Sequence, residues 1–408
     1  MRWTHTHIAR RSWIIGVLGL ASGLGVFLMG TRPVEAGPRK IIVDAVRGND
    51  VFGRGTRGRP YKTITVGLNA ARPGDTVFVQ LGLYDASNGE KFPIRMKPGV
   101  ALKGQKWPPG RGRFPFREGI VGPDGGLHTE PMIQGGDYVD VPFGDGLTTE
   151  RFVTIMGADE ATIANFVIFV GGVEVPAHTG TGILCDATSP KILSNTFRAF
   201  RPVMEHEGIM ILGSGAPEIR QNLFKGNMDW GITTHGESAP QITDNRFATN
   251  DGGIDTTRHS TALIRDNVFT CRGTGISARE QSTPAIESNT IRGHESYGIF
   301  CGQEAAPVIR NNVIERNGTG IDPIAGPLGG VVIFLDAQPD LGGGDGVPGG
   351  NVLRENNARD VVNFSPNTIW ALGNTWTHSA ATPHLIDDLD VFDDDENPTS
   401  GPVIFAID

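Results

Sequence analysis

The sequence predicts an all-β fold, a right-handed parallel β-helix of 22–23 residues per coil with a short N-terminal capping helix. Three observations predict it. Glycine supplies 57 of the 408 residues, about twice the usual share of roughly 7%. Each glycine inside a helix costs about 1 kcal/mol, so helical bundles are disfavoured. Gly-Ile pairs recur at Gly182, Gly208, Gly231, Gly253, Gly275, Gly298 and Gly320, in steps of 26, 23, 22, 22, 23 and 22 residues. Other columns keep the same period: Ile192, Ile219, Ile242, Ile264, Ile286 and Ile309; Asn195, Asn222, Asn245, Asn267, Asn289 and Asn312; Phe197, Phe224, Phe247, Phe269, Ile291 and Ile314. A period of this length is the signature of a solenoid. Units reading P-x-I-x-x-N-x-F/I, then a polar stretch, then G-I, are short strands separated by bends.

The elements follow in order. Residues 1–36 read as an export signal: Arg2, Arg10 and Arg11 precede the uncharged run from Trp13 to Gly30, and Val34-Glu35-Ala36 resembles a cleavage site. Arg10-Arg11-Ser12-Trp13 is similar to a twin-arginine start. The expected location is therefore periplasmic, cell-surface or secreted, with the membrane met only through this segment if it stays uncleaved. Residues 37–105 open the solenoid, with strands at Ile41-Ile42-Val43, Thr76-Val77-Phe78-Val79 and Gly99-Val100-Ala101-Leu102. A short helix over Thr63 to Ala71 ends at Pro73-Gly74 and is placed to cover the open edge of the first coil. Residues 106–150, rich in Gly and Pro, read as a loop excursion. The repeats run over 151–376, with Asn165-Phe166 as an irregular early turn and Asn374-Thr375-Trp376 as a late one; the last clear coil ends near 335. Residues 377–408 close the chain.

Each column has a physical role. Like residues stack about 4.8 Å apart, the strand spacing. The Ile and Phe columns point inward, the Asn column sits at a bend where left-handed backbone suits Asn, and its amides bond to the coils above and below. The glycines stand where a Cβ would clash. Cys185 and Cys301 share a column five coils apart, about 24 Å at this rise, beyond disulfide reach. All three cysteines, Cys271 included, are expected free and buried.

The formal net charge is −9, and residues 1–36 hold four Arg and one Glu, so the remainder carries −12. Seven of those negatives lie in Asp387 to Glu396. No basic footprint for nucleic acid is present. A hydrophobic fraction of 38% and a mean hydropathy of −0.16 argue against a polytopic membrane protein and against global disorder.

Several further motifs carry a resemblance. Val43-Asp44 with Gly48-Asn49-Asp50, Pro60-Tyr61-Lys62-Thr63-Ile64, Pro73-Gly74-Asp75, Gly82-Leu83-Tyr84, Glu90-Lys91-Phe92-Pro93-Ile94 and Gly99-Val100-Ala101-Leu102 resemble an uncharacterised domain family of exported bacterial proteins with the pectin-lyase-like right-handed β-helix. The resemblance runs to about residue 376. It implies the fold and leaves the chemistry open.

Proteins with this fold that cleave polysaccharides stack charged groups on neighbouring coils: paired carboxylates in hydrolases, Ca²⁺ with Arg or Lys in lyases. The register brings Asp229, Asp251 and Asp255 within about one coil of each other, with Arg258 beside them, and these four are the candidate catalytic residues. Glu205, His206 and Glu207, in a longer coil next to Asp229, together with Trp230, His235, His259 and Tyr297, are the candidate ligand-binding residues. Trp230 and Tyr297 share a column, as a stacking surface for sugar rings would require. No cofactor is evident; Ca²⁺ is a candidate ligand only for the tail Asp387 to Glu396, which lacks the glycine of an EF-hand loop. The first reading is an exported protein that binds cell-envelope or extracellular polysaccharide, expected as a monomer. The alternatives are a lyase or hydrolase acting on acidic polysaccharide, and a structural or adhesion solenoid.

Overall fold

Each repeat folds as one coil of three short strands, and the coils stack into three long sheets of 13, 12 and 10 strands, parallel except for one antiparallel edge strand in the second. The computed structural model describes residues 37–106, 120–142, 148–171, 179–199, 206–226, 228–320, 328–357, 359–378 and 383–405. The export signal expected over 1–36 lies outside them. The solenoid lies within the unit Pro38–Asp408. No helix among the described residues is long and apolar enough to cross a membrane.

The three sheets follow the sequence columns. One carries Ile163, Ile192, Ile219, Ile242, Ile264, Ile286 and Ile309 in register. The next carries Ile168, Phe197, Phe224, Phe247, Phe269, Ile291 and Ile314. Its four phenylalanine rings stack at 4.8, 4.7 and 4.7 Å between centroids, within 7° of parallel. The glycine–isoleucine sheet carries Ile155, Ile183, Ile209, Ile232, Ile254, Ile276 and Ile299. All these side chains are buried and fill one core. The glycine before each isoleucine is required there. A Cβ on Gly208 would lie 2.6 Å from Gly231 O and 2.7 Å from the Phe224 ring.

The asparagines form a continuous ladder. Each Oδ1 accepts from the backbone N–H and Nδ2 of the Asn one coil before it, from Asn195 through Asn222, Asn245, Asn267, Asn289, Asn312 and Asn351 to Asn374. The left-handed residue is the one before each Asn: Ser194, Gln221, Asp244, Asp266, Ser288 and Asn311 have φ between 55° and 58°. This corrects the placement expected from sequence. The preceding residue makes the turn so that the Asn side chain enters the bend. Asn165, with φ of 65°, takes that preceding slot, and Phe166 N–H donates to Asn195 Oδ1 at 3.1 Å.

At the N-terminal end, Thr63 caps the helix Ile64–Ala70, which buries Ile64 and Leu68. Gly67 lets the helix lie close: a Cβ there would meet Val43 and Val77 at 2.7 and 3.0 Å. The described part of 106–150 is more ordered than its composition suggests. Ile120–Val121 pairs antiparallel with Leu127–His128, Met132–Gln134 joins the phenylalanine sheet, and Asp137–Pro142 pairs antiparallel with the long strand Thr148–Met156. Further on, Gly330-Val331 and not Gly320-Ile321 continues the glycine–isoleucine sheet, because Val331 pairs with Ile299; Ile321 lies outside the described residues. The sheets then run on through Arg359–Asn363, Ile369–Ala371, Val391–Phe392 and Val403–Ile404. The acidic tail thus supplies strands of the last coil. Cys185, Cys271 and Cys301 are free and buried.

Candidate functional site

The direction of each side chain decides which residues of the glycine–isoleucine sheet face outward. Ile232 and Ile254 point into the core, so the residue after each faces out. The Cβ position of the glycine before each also turns inward, against the Phe247 or Phe269 ring, so the residue preceding that glycine faces out as well. Two outer columns result. One runs through Thr181, Glu207, Trp230, Gly252 and Thr274, and Tyr297 continues it. The other runs through Met156, Leu184, Met210, Thr233, Asp255, Ser277, Phe300, Val332, Val362 and Phe392.

At the early coils this outer face is covered. Val139 and Val141 of the strand Asp137–Pro142 belong to a dry cluster with the outward-facing Val153, Leu184, Met210 and Leu212. At its margin Arg151 Nη1 donates to both oxygens of Glu207, at 2.9 and 2.7 Å. Both side chains are about nine-tenths buried, with 10% and 6% exposed.

One coil later the face becomes polar. The half-buried indole of Trp230 lies across Gly252, where a Cβ would come within 2.5 Å of its Cδ2 and Cζ3. Thr233 is buried, and its Oγ1 has no hydrogen-bond partner among the described residues. Asp255, also buried, accepts from Arg279 Nε at 3.2 Å and Nη2 at 2.6 Å. Burial disfavours the Arg279 cation, but the bond to Asp255 and the charges of Asp255, Glu280 and Asp229 raise its pKa above the ordinary arginine value. His235 Nδ1 lies 2.7 Å from Thr257 Oγ1, whose own proton goes to Thr234 O at 3.2 Å. The hydroxyl therefore accepts, which puts the ring proton on Nδ1 and the lone pair on Nε2. Burial pushes His235 down to about 4; Asp255 opposes the shift and Arg151 and Arg258 add to it. The imidazole is neutral at neutral pH.

The candidates named from sequence divide. Trp230, His235 and Asp255 lie together, and Asp229 and Arg258 are near enough for their charges to act on Arg279 and His235 respectively. Arg258 Nε donates to Glu280 at 3.2 Å. Asp251 is not part of this group: it is exposed before the strand starts, and Arg272 donates to its Oδ1 from Nε at 3.1 Å and Nη2 at 2.5 Å. His259 is exposed in the turn after Asp255. His206 is buried, accepts from Gly180 N–H at Nδ1 at 3.1 Å, and fills the space left by Gly171 and Gly180. Glu207 is engaged by Arg151. Tyr297 is half-buried, its ring 5.4 Å from that of Phe300. Glu205 lies outside the described residues.

Sequence reasoning missed Arg151, Arg279 and Glu280. It also missed an aromatic stripe: the half-exposed rings of Phe300, Phe334, Phe364 and Phe392 follow each other at 6.0, 4.7 and 5.1 Å. The 22–23-residue period does not lead to it, because Val332 and Val362 take the register position of Phe300 and Phe392, and Phe334 and Phe364 lie two residues further on.

In the tail, one carboxylate oxygen each of Asp387, Asp393 and Asp395 lies within 4.8 Å of the others. Asp393 accepts from Val403 N–H at 2.6 Å. Burial, with acidic neighbours adding to it, pushes Asp393 up to about 6 and Asp387 upward.

Three parallel sheets around a ladder-lined core define a pectin-lyase-like parallel β-helix protein. Within that class, residues 46–383 match the family described as "Protein of unknown function (DUF1565)", and the chain belongs to it. Among solved structures it is similar to the GH136 lacto-N-biosidase from Eubacterium ramulus, with 13% identity and a TM-score of 0.55, over 90% of this chain and 68% of that one. It is also similar to DFA-IIIase from Arthrobacter chlorophenolicus, with 13% identity and a TM-score of 0.47, over 86% of this chain and 90% of that one. At such identities the likeness is one of fold. No curated protein matches it in sequence.

Proposed function

We propose that the outer face of the glycine–isoleucine sheet binds a glycan, and that the protein is exported to meet it. The observation that carries this reading is Trp230 laid over Gly252 beside the buried Thr233 and Asp255 and the half-buried His235 and Arg279. A flat aromatic face next to fixed donors and acceptors suits a sugar ring, which presents C–H groups on one face and hydroxyls at its rim. The shared fold with a lacto-N-biosidase agrees with a carbohydrate ligand. Binding is favoured over hydrolysis because Asp255 and Glu207 each engage both oxygens with an arginine. A hydrolase needs one carboxyl group that holds a proton. The experiment is a glycan screen with purified residues 37–408, repeated with Trp230→Ala. Saturable binding that the variant weakens by tenfold or more supports the reading; no binding to any neutral or acidic glycan refutes it.

A second reading, uronate elimination, has one observation in its favour. His235 is neutral with its lone pair on Nε2, and Arg151 and Arg258 act on it. A neutral imidazole can remove a proton α to a carboxylate; since Arg151 is held by Glu207 and Arg258 by Glu280, a substrate carboxylate would have to compete with those partners. Unsaturated products detected by their ultraviolet absorbance, lost in His235→Ala, would establish it.

A further inference from the structure

We propose that this face seats the end of a glycan chain and not a stretch of its interior. The inference rests on the glycan reading above and deepens it. A polymer bound mid-chain must leave the site in both directions, and along this face one direction ends at an apolar wall while the other is lined by half-exposed rings. Toward the early coils one outer column is filled by Leu184 and Met210, with Leu212 two residues beyond Met210 and Val141 packed on them and fully buried. The Arg151–Glu207 pair, itself nine-tenths buried, stands at the margin. Thr233 follows Met210 in the same column, and Trp230 follows Glu207. The face therefore passes from a sealed apolar wall to a polar coil within one strand spacing. Thr233 Oγ1, buried without a partner among the described residues, is the kind of group a terminal sugar hydroxyl would satisfy.

Toward the later coils Val332 and Val362 of the outer column are themselves buried, and the accessible surface is that of the aromatic rings beside them. Tyr297, Phe300, Phe334, Phe364 and Phe392 present half-exposed rings in one stripe. From Trp230 to Phe392 the sheet advances six coils, about 29 Å at roughly 4.8 Å each. A chain anchored by its end at Trp230 and Thr233 would run along these rings, its sugars stacking on successive coils. The stripe continues the polar site without a break, because Phe300 occupies the same column as Thr233, Asp255 and Ser277.

The test uses the native chain from residue 37 and size-fractionated xylan, mannan, polygalacturonate and alginate oligosaccharides of two to ten residues, with their parent polymers. Calorimetry and light scattering give affinity and stoichiometry. End recognition predicts one protein per chain at every length, with affinity rising to about six residues and then levelling. It also predicts that Phe364→Ala leaves disaccharide binding unchanged while weakening the longest oligosaccharides by about threefold to tenfold. Several proteins bound per polymer chain would overturn end recognition and leave the glycan reading standing. Absence of binding across the whole panel would overturn both. A dimer of the free protein that Phe364→Asp dissolves would assign the stripe to a second copy, and would overturn the proposal as well.

Discussion

Asn267 stands in the middle of the ladder, and replacing it tests the account of what fixes the coils. Its Oδ1 accepts from Asn245 N–H at 2.9 Å and from Asn245 Nδ2 at 3.1 Å. Its Nδ2 donates to Ile242 O at 2.8 Å, Arg265 O at 2.9 Å and Asn289 Oδ1 at 3.1 Å. Asn267→Ala removes these bonds and strands the buried Asn245 N–H. One stranded group costs about 1–3 kcal/mol, and each further bond contributes a net of roughly 1 kcal/mol, so the loss should be about 3–5 kcal/mol. Asn267→Asp keeps the shape but turns an oxygen toward three acceptors. The ionised form is a buried charge without a partner, and the neutral form has one proton for three oxygens. Asn267→Asp should therefore be at least as destabilising as Asn267→Ala at pH 7. The new carboxyl has a pKa raised in the folded state above the unfolded value. Stability then recovers as pH falls through the folded pKa toward about 4, whereas Asn267→Ala shows no such recovery relative to wild type. Denaturant unfolding followed by circular dichroism at pH 7 and pH 4.5 reads both effects. Asn374, half-buried as the last rung, is the internal control, and Asn374→Asp should cost less. An Asn267→Asp protein as stable as wild type at pH 7, or a deficit that ignores pH, would refute the ladder as the holding element.

Three further outcomes are expected. Gly252→Ala should destabilise by roughly 1–3 kcal/mol, because the new methyl meets the Trp230 indole. Added to Trp230→Ala it should cost much less, and strictly additive losses in a double-mutant cycle would show that the ring does not lie there. Burial pushes His294 down to about 3, so the unfolded chain binds its proton first and stability falls as pH drops from about 6.5 toward 3. His294→Asn should flatten that acid slope in thermal melts from pH 7 to 4, whatever it does to the melting temperature at pH 7; an unchanged slope would count against a buried neutral ring. Asp393, raised to about 6, has the opposite sign: the folded chain holds the proton more tightly, so the last coil gains stability as pH falls from about 6 toward 4. Hydrogen exchange at Val403 and Ile404 should therefore be better protected at pH 5 than at pH 7 after correction for intrinsic rates, and equal or weaker protection would contradict it.

How much of this was legible in the sequence follows from what repeats and what does not. Ile232, Ile254 and Ile276 recur because every coil must fill the same cross-section, and Asn245 recurs because each rung needs the next. Those constraints act once per coil and leave a period. The site residues obey no such constraint. Asp251 and Asp255 are four apart and look like one cluster, yet the strand begins at Gly252. Asp251 is therefore left in the bend facing Arg272, while Asp255 turns out of the sheet toward Arg279. Arg151 reaches Glu207 across 56 residues from the early part of the long strand Thr148–Met156, ahead of the residues that pair with the next coil, so no column announces it. The aromatic stripe was hidden by three long coils, with steps of 32, 30 and 30 residues from Ile299 to Val331, Val361 and Val391, which break the count beyond Gly298.

The outer column itself holds the more useful signal. An outward position on a solenoid sheet is ordinarily solvated, and it can then vary freely. Thr233, Asp255 and Ser277 point outward and are nonetheless 4%, 3% and 3% exposed. Three different polar residues held out of water on the outer face serve neither the core nor solubility. Asp255 alone has its charge matched by an ordered arginine, and the Thr233 hydroxyl is left without a partner among the described residues. Buried polar groups of this kind lower stability unless something pairs with them. A purely structural solenoid would have no reason to keep them at successive coils next to an aromatic ring. That juxtaposition separates a binding face from a scaffold here, and it argues for a ligand whose hydroxyls reach Thr233 while its ring rests on Trp230.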